Sequence, residues 1–205
     1  QQESGAGGSR YPEANQAINN QVLNGTLIWN YSGHGGSSRL AEETILDQSI
    51  INSWNNKNRL PLFITATCDF APYDNPVLNS IGENLLLRPV TGAIALMTTT
   101  RPVFAFSNRV MNNNYLRFAM QAGPDGQYPS LGDAVKAAKN FTYQTLPDIA
   151  NNRKFTLLGD PAMTLAFPVL KVRKPMDTLS LSPPITAILA KLSKGWKLPE
   201  TVPSE

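Results

Sequence analysis

The chain holds a single cysteine, Cys68, and a single histidine, His34, which lie 34 residues apart. Each follows a short apolar run. Thr26-Leu27-Ile28-Trp29 leads into Tyr31-Ser32-Gly33-His34-Gly35-Gly36, and Leu62-Phe63-Ile64-Thr65-Ala66 leads into Thr67-Cys68-Asp69. A thiol attacks a carbonyl carbon as its thiolate, and a neighbouring imidazole both stabilises that anion and hands a proton to the leaving amine. The pair is the minimum equipment for acyl transfer through a thioester. Glycines on both sides of His34 permit close backbone approach and unusual dihedral angles, which leaves the Gly35 and Cys68 amides as candidate donors to a developing oxyanion. One cysteine excludes an internal disulfide and a multi-cysteine zinc site, and one histidine excludes the multi-histidine metal motifs. His34-Gly35-Gly36-Ser37-Ser38 is glycine-rich, but it lacks the Gly-Lys-Ser/Thr ending of a phosphate loop. Neither a metal nor a cofactor is expected.

For these two side chains to meet, the elements before them must end at one place. The apolar runs at 26–30 and 62–66 read as buried strands, and Gly92-Ala93-Ile94-Ala95-Leu96-Met97 as a third. Ala14 to Leu23 is a candidate helix, and Leu46, Ile50 and Trp54 recur at four-residue spacing, one face of a second helix. Asn75 with Pro76 reads as the start of a third helix running to Pro89. Ser107 is a candidate cap for a helix through about Gln121, and Ser130 with Asp133 resembles a capping box opening another through about Thr142. Two short final strands are expected around the turn Gly159-Asp160-Pro161. Alternation of strand and helix implies right-handed crossovers and an α/β fold: a mostly parallel sheet with helices on both faces. In such a sheet, functional groups gather beyond the carboxyl ends of the strands, where both His34 and Cys68 fall.

Charge narrows the partners. The 205 residues carry 18 Lys and Arg against 15 Asp and Glu, but residues 1–170 hold 12 of each, so the excess lies beyond them. A phosphate backbone is bound by a clustered basic face, and none is visible before Lys171; no nucleic-acid partner is expected. No apolar run approaches the roughly 20 residues that span a bilayer, so no transmembrane segment is expected. The polar, Gly-rich start is unlike a secretory signal and predicts a mature or excised segment. Residues 169–205, broken by Pro175, Pro183 and Pro184, read as an extension or linker, with Ile185 to Leu192 a candidate basic amphipathic helix.

The two strand-end motifs, Ser32-Gly33-His34-Gly35-Gly36 and Ala66-Thr67-Cys68-Asp69-Phe70, resemble the His-Gly and Ala-Cys motifs of the caspase-like cysteine peptidases. Within that clan the chain resembles the gingipain family. Ser80-Ile81-Gly82-Glu83-Asn84, Gly92-Ala93-Ile94-Ala95 and Leu158-Gly159-Asp160-Pro161-Ala162 follow that family's blocks in order and spacing. Of its branches, the type IX secretion system sortases of Bacteroidota are the best match. The resemblance implies that residues 1–168 are the C-terminal part of a gingipain-type domain, beginning too late to hold the family's first strands and the acidic residues that orient the histidine or line the substrate pocket, so that much of the substrate choice lies outside these residues. It implies Cys68 as nucleophile and His34 as proton donor to the departing amine. It further implies protein substrates bearing C-terminal sorting signals, which the sortase branch removes before joining the new carboxyl end to a surface glycolipid. Outer-membrane secretion components would be its partners, and the outer face of the bacterial outer membrane its location.

Asp69 and Asp74 lie near the thiol and Arg101 follows the third strand, which makes them candidate substrate contacts. Glu83 reads as a structural anchor. The rival reading is a non-catalytic caspase-fold scaffold or partner-binding module, in which His34 and Cys68 only pack.

Overall fold

Every residue from Leu62 to Ala66 is buried, the pattern of a parallel strand sandwiched between two helical layers. The computed structural model describes residues 3–5, 8–146 and 148–168. Strands β1 (Glu3–Gly5) and β2 (Gly8–Arg10) form a small antiparallel hairpin, followed by helix α1 (Pro12–Asn24). Then come β3 (Ile28–Ser32), a two-residue pair β4 (Arg39–Leu40) and β5 (Leu46–Asp47), α2 (Gln48–Ser53) and β6 (Leu62–Ala66). The remaining elements are α3 (Ile81–Leu87), β7 (Ala95–Thr99), α4 (Ala105–Ala119), α5 (Leu131–Thr145), α6 (Ile149–Lys154) and β8 (Phe155–Leu158).

The main sheet runs β3-β6-β7-β8, with β3, β6 and β7 parallel and β8 antiparallel to β7. Alternation along the strands sorts the core into two clusters. Leu62, Ile64, Ala95 and Met97 meet Met111 and Tyr115 of α4 and Ala134 and Ala138 of α5. Phe63 and Leu96 point the other way, against Val22 of α1, Ile51 of α2 and Ile81 and Leu85 of α3. Each fully buried Leu, Ile or Phe contributes about 1.5–3 kcal/mol by leaving water, so both helical layers are held chiefly by the two middle strands. The α/β class and the placement of helices on both faces match the expectation from sequence.

Several boundaries differ. Leu46 is not helical but pairs with Leu40 across the β4–β5 turn, and α2 begins only where Asp47 accepts a hydrogen bond from Ile50 N at 2.9 Å. Helix α3 starts at Ser80, not Asn75, because Ser80 and Glu83 form a complete capping box. The Asn75 carboxamide instead accepts from Val77 N at 3.2 Å in a local turn. Ser107 lies inside α4, its hydroxyl donating to Asp148 Oδ2 at 2.5 Å. Only one of the two expected final strands forms, and Thr164 makes a lone bridge to Ser130. The extension 169–205 and its candidate helix lie outside the described residues.

Candidate active site

Ser32 is the register partner of Ala66 at the carboxyl ends of β3 and β6. Gly33 N donates to Ala66 O at 3.2 Å, so the pairing carries one residue past the strand. His34 and Cys68 each stand two residues beyond that matched pair, on strands that in a parallel sheet run about 4.8 Å apart. Both residues line one cavity of about 290 Å3 with Ser32, Ala66, Val103 and Asn108. His34 is exposed and Cys68 half-buried, its thiol donating weakly to Val103 O at 3.7 Å.

The His34 loop is fixed from three sides. Its carbonyl accepts from Tyr31 Oη at 2.6 Å and from Ala41 N at 2.8 Å. Burial pushes the Tyr31 hydroxyl above the ordinary tyrosine range, against the Ala41 amide that draws it down, so it remains a donor at neutral pH. Further on, Ile81 N at the start of α3 donates to Ser37 O at 2.8 Å. Gly35 is required by close approach and not by an unusual dihedral: a Cβ there would lie 2.7 Å from Thr67 Oγ1 and 2.9 Å from Leu40 Cδ2. No acceptor among the described residues takes the Gly35 or the Cys68 amide; Cys68 lines this cavity, whereas Gly35 lines an adjoining depression that it shares with His34, Ser38 and Arg39.

On the other strand the chain turns sharply. Asp69 adopts φ 42°, the left-handed region that Asp tolerates better than bulkier residues and that bends the chain directly after the thiol. Asp69 N donates to Arg101 O at 3.4 Å and Ala71 N to Thr99 O at 3.1 Å, tying this turn to the end of β7. The Thr99 hydroxyl donates to Thr67 O in a short bond. Gly82 in α3 allows the helix to sit against Phe70 and Ala71; a Cβ there would lie 2.7 Å from Phe70 O. The start of α3 thus touches both chain segments that leave the sheet after His34 and Cys68.

Asp69, Asp74 and Arg101 do not line the His34–Cys68 cavity but a neighbouring depression with Ser37 and Pro72. Arg101 grips Asp74 with both terminal nitrogens, at 2.9 and 2.5 Å. That hydrogen-bonded guanidinium holds the Asp74 carboxyl below the usual carboxylate range. Asp69 is shifted the other way, upward, because burial outweighs the attraction of Arg101 and Lys154.

Sequence reasoning did not find the cavity's far wall. Phe104 N donates to Asn151 Oδ1 at 2.9 Å, and Lys154 Nζ donates to Pro102 O at 2.7 Å while lying over the Phe104 ring. These bonds set the segment 102–104 facing the thiol. Asn108, one turn into α4, completes the wall, and its Oδ1 is buried with no partner among the described residues. An unpaired buried amide costs about 1–3 kcal/mol. Its one advance signal was an asparagine on the core-facing stripe of a helix. Among the described residues no His, Cys, Asp and Glu cluster could hold a metal ion.

A mostly parallel sheet between two helical layers, with a thiol and an imidazole beyond the carboxyl ends of adjacent strands, is the caspase-like fold class. The profile of peptidase family C25 matches residues 1–166. The chain belongs to that family, the gingipain family. Similar solved structures include the Arg-specific cysteine proteinase gingipain R, at 16% identity and a TM-score of 0.65, covering 73% of this chain and 36% of that one. The complex of the pro- and mature domains of RgpB from Porphyromonas gingivalis gives 16% identity and 0.65, covering 74% and 37%. At such identity the likeness is one of fold, and the chain spans little more than a third of the length of either. No curated protein matches the chain.

Proposed function

We propose that this chain carries the cutting chemistry of a cysteine endopeptidase, with residues 1–168 the C-terminal part of its peptidase domain and 169–205 an extension. The observation that carries the reading is the equal offset of His34 and Cys68 beyond the Ser32–Ala66 pair, at one cavity. The Cys68 proton passes to His34 and the thiolate attacks the peptide carbonyl. The Gly35 and Cys68 amides donate to the oxygen as it gains charge. The carbonyl re-forms as the C–N bond breaks, the imidazolium protonates the departing amine, and a Cys68 thioester remains. Water, deprotonated by His34, releases a carboxylate and restores the thiol; an amine in place of water forms a new amide.

The motif resemblance supports a finer reading: a sortase-type transpeptidase that removes C-terminal sorting signals from secreted proteins at the outer face of a bacterial outer membrane. Secretion-system outer-membrane components would be its neighbours there and a surface glycolipid its acceptor.

In the full-length protein, iodoacetamide is expected to titrate Cys68 faster than free cysteine near neutral pH, and a peptidyl acyloxymethyl ketone to label it. Cys68→Ala should abolish peptide cleavage, and His34→Ala should lower it about 10²–10⁴-fold. A Cys68 no more reactive than free cysteine would overturn the reading in favour of a non-catalytic scaffold. Competition between water and an added amine for the thioester separates hydrolysis from transfer.

A further inference from the structure

Arg101 stands between the two contacts that reach the nucleophile from the end of β7. Its carbonyl accepts from Asp69 N at 3.4 Å, and two residues on the Val103 carbonyl takes the Cys68 thiol at 3.7 Å. Both contacts are long. Asp69 nevertheless holds φ 42°, a conformation that a residue other than glycine keeps only where its surroundings over-determine it. The restraint comes from both sides of the turn. Before Cys68, the Thr99 hydroxyl donates to Thr67 O; after it, Ala71 N donates to Thr99 O at 3.1 Å, and the Arg101 guanidinium closes on Asp74 at 2.9 and 2.5 Å. The segments 68–74 and 99–103 thus form a ring through the thiol, with the ion pair as its outer fastening.

We propose that Arg101 and Asp74 are positioning residues for Cys68, fastening the turn that presents its thiol and its amide; the inference rests on the peptidase reading above. The guanidinium is preset for this task. Its Nη1 also donates to Thr100 O at 2.6 Å, so three of its five N–H groups are spent inside the ring, and both Asp74 oxygens are taken by it. A planar fork on a carboxylate fixes two distances at once, which a point charge does not. With side chains 49% and 47% exposed, the pair adds little to global stability, and its effect falls on local geometry. A reacting group misplaced by about 1 Å loses about 10²-fold in rate.

The test uses the full-length protein and peptidyl acyloxymethyl ketones that differ only in carrying a neutral, a basic or an acidic side chain. Labelling of Cys68 is followed by mass spectrometry for its limiting rate and its half-saturating concentration. Arg101→Gln and Asp74→Asn should each lower the limiting rate about 10–10²-fold for every reagent, with the half-saturating concentration and the urea midpoint parental. The combined variant should be no slower than either alone, because one lost prong already opens the ring. Should Arg101→Gln not fold, Arg101→Lys, which keeps the charge without the fork, should show the same loss. Parental rates in both single variants, losses that multiply in the combined one, or slow labelling that tracks a lower urea midpoint would overturn the inference. So would a change confined to reagents of one charge or to the half-saturating concentration, which marks contact with substrate. In each of these cases fast labelling of the parent leaves the peptidase reading standing. A parent that no ketone labels and that iodoacetamide alkylates no faster than free cysteine sinks both.

Discussion

The two helices that follow the middle strands meet the edge bearing His34 and Cys68 in opposite ways. Helix α3 arrives with its polar groups paired: Ser80 Oγ donates to Glu83 Oε2 at 2.6 Å and accepts from Glu83 N at 3.2 Å, while Ser80 N donates to Glu83 Oε2 at 3.1 Å. Its next amide, Ile81 N, holds Ser37 O. Helix α4 arrives with no side-chain cap, and of the four buried polar atoms without a partner among the described residues, three, on Asn108, Asn112 and Tyr115, lie along it at i, i+4 and i+7. That spacing is one helix face. Paired polarity in α3 fixes the backbone that presents the thiol and the imidazole. Unpaired polarity in α4 is a cost in stability.

The largest effect that separates positioning from recognition is expected at Gly35. A methyl group there overlaps Thr67 Oγ1 and Leu40 Cδ2 and lies 3.2 Å from Arg39 O, so the loop held by Tyr31 and Ile81 is pushed and carries the Gly35 amide with it. Loss of one oxyanion donor lowers turnover about 10²–10³-fold. Gly35→Ala should therefore lose peptide cleavage by that factor while iodoacetamide, whose displacement reaction develops no oxyanion, alkylates Cys68 at the parental rate. Equal loss in both reactions would mean that the loop supports the thiol itself.

What the sequence shows and what it hides divides along the same line. The strand ends were legible because apolar runs stop at polar, Gly-rich turns, and one βαβ unit suffices to bring Ser32 and Ala66 side by side. Helix starts were less legible because caps compete: Asn75-Pro76 and Ser80-x-x-Glu83 are both start signals, and reciprocal bonds at Ser80 prevail over a one-bond turn at Asn75. Leu46 fitted a helical stripe with Ile50 and Trp54, but Asp47 caps one residue later and leaves it to pair with Leu40. The cavity wall was hidden, since Val103, Phe104 and Asn108 reach Cys68 only through the packing of α4 and α6 after β7. An unpaired amide becomes visible only once its surroundings are known.

A smaller effect, in stability and not in chemistry, is expected at the paired helix. Ser80 is fully buried, and Ser80→Ala removes the cap acceptor of α3 and leaves Glu83 with one partner fewer. The loss should be about 1–2 kcal/mol, read from the urea midpoint at unchanged slope. Cys68 in the folded variant should keep its parental reactivity. A fall in that reactivity without a fall in stability would place α3 in the site and erase the contrast with α4.

The smallest effect should have the opposite sign. Asn112 lies one turn beyond Asn108 on the same face of α4, buried and away from the cavity, with its Oδ1 unpaired among the described residues. Leucine has nearly the same shape and no polar atom to desolvate, and replacing an unpaired buried amide by an apolar group of similar size is neutral to stabilising. Asn112→Leu should raise the stability by up to about 1 kcal/mol and leave both cleavage and the choice of residue beside the scissile bond unchanged. A destabilised variant would mean that Asn112 is paired in the working protein, and that the polar face of α4 is a connected network and not a row of separate costs.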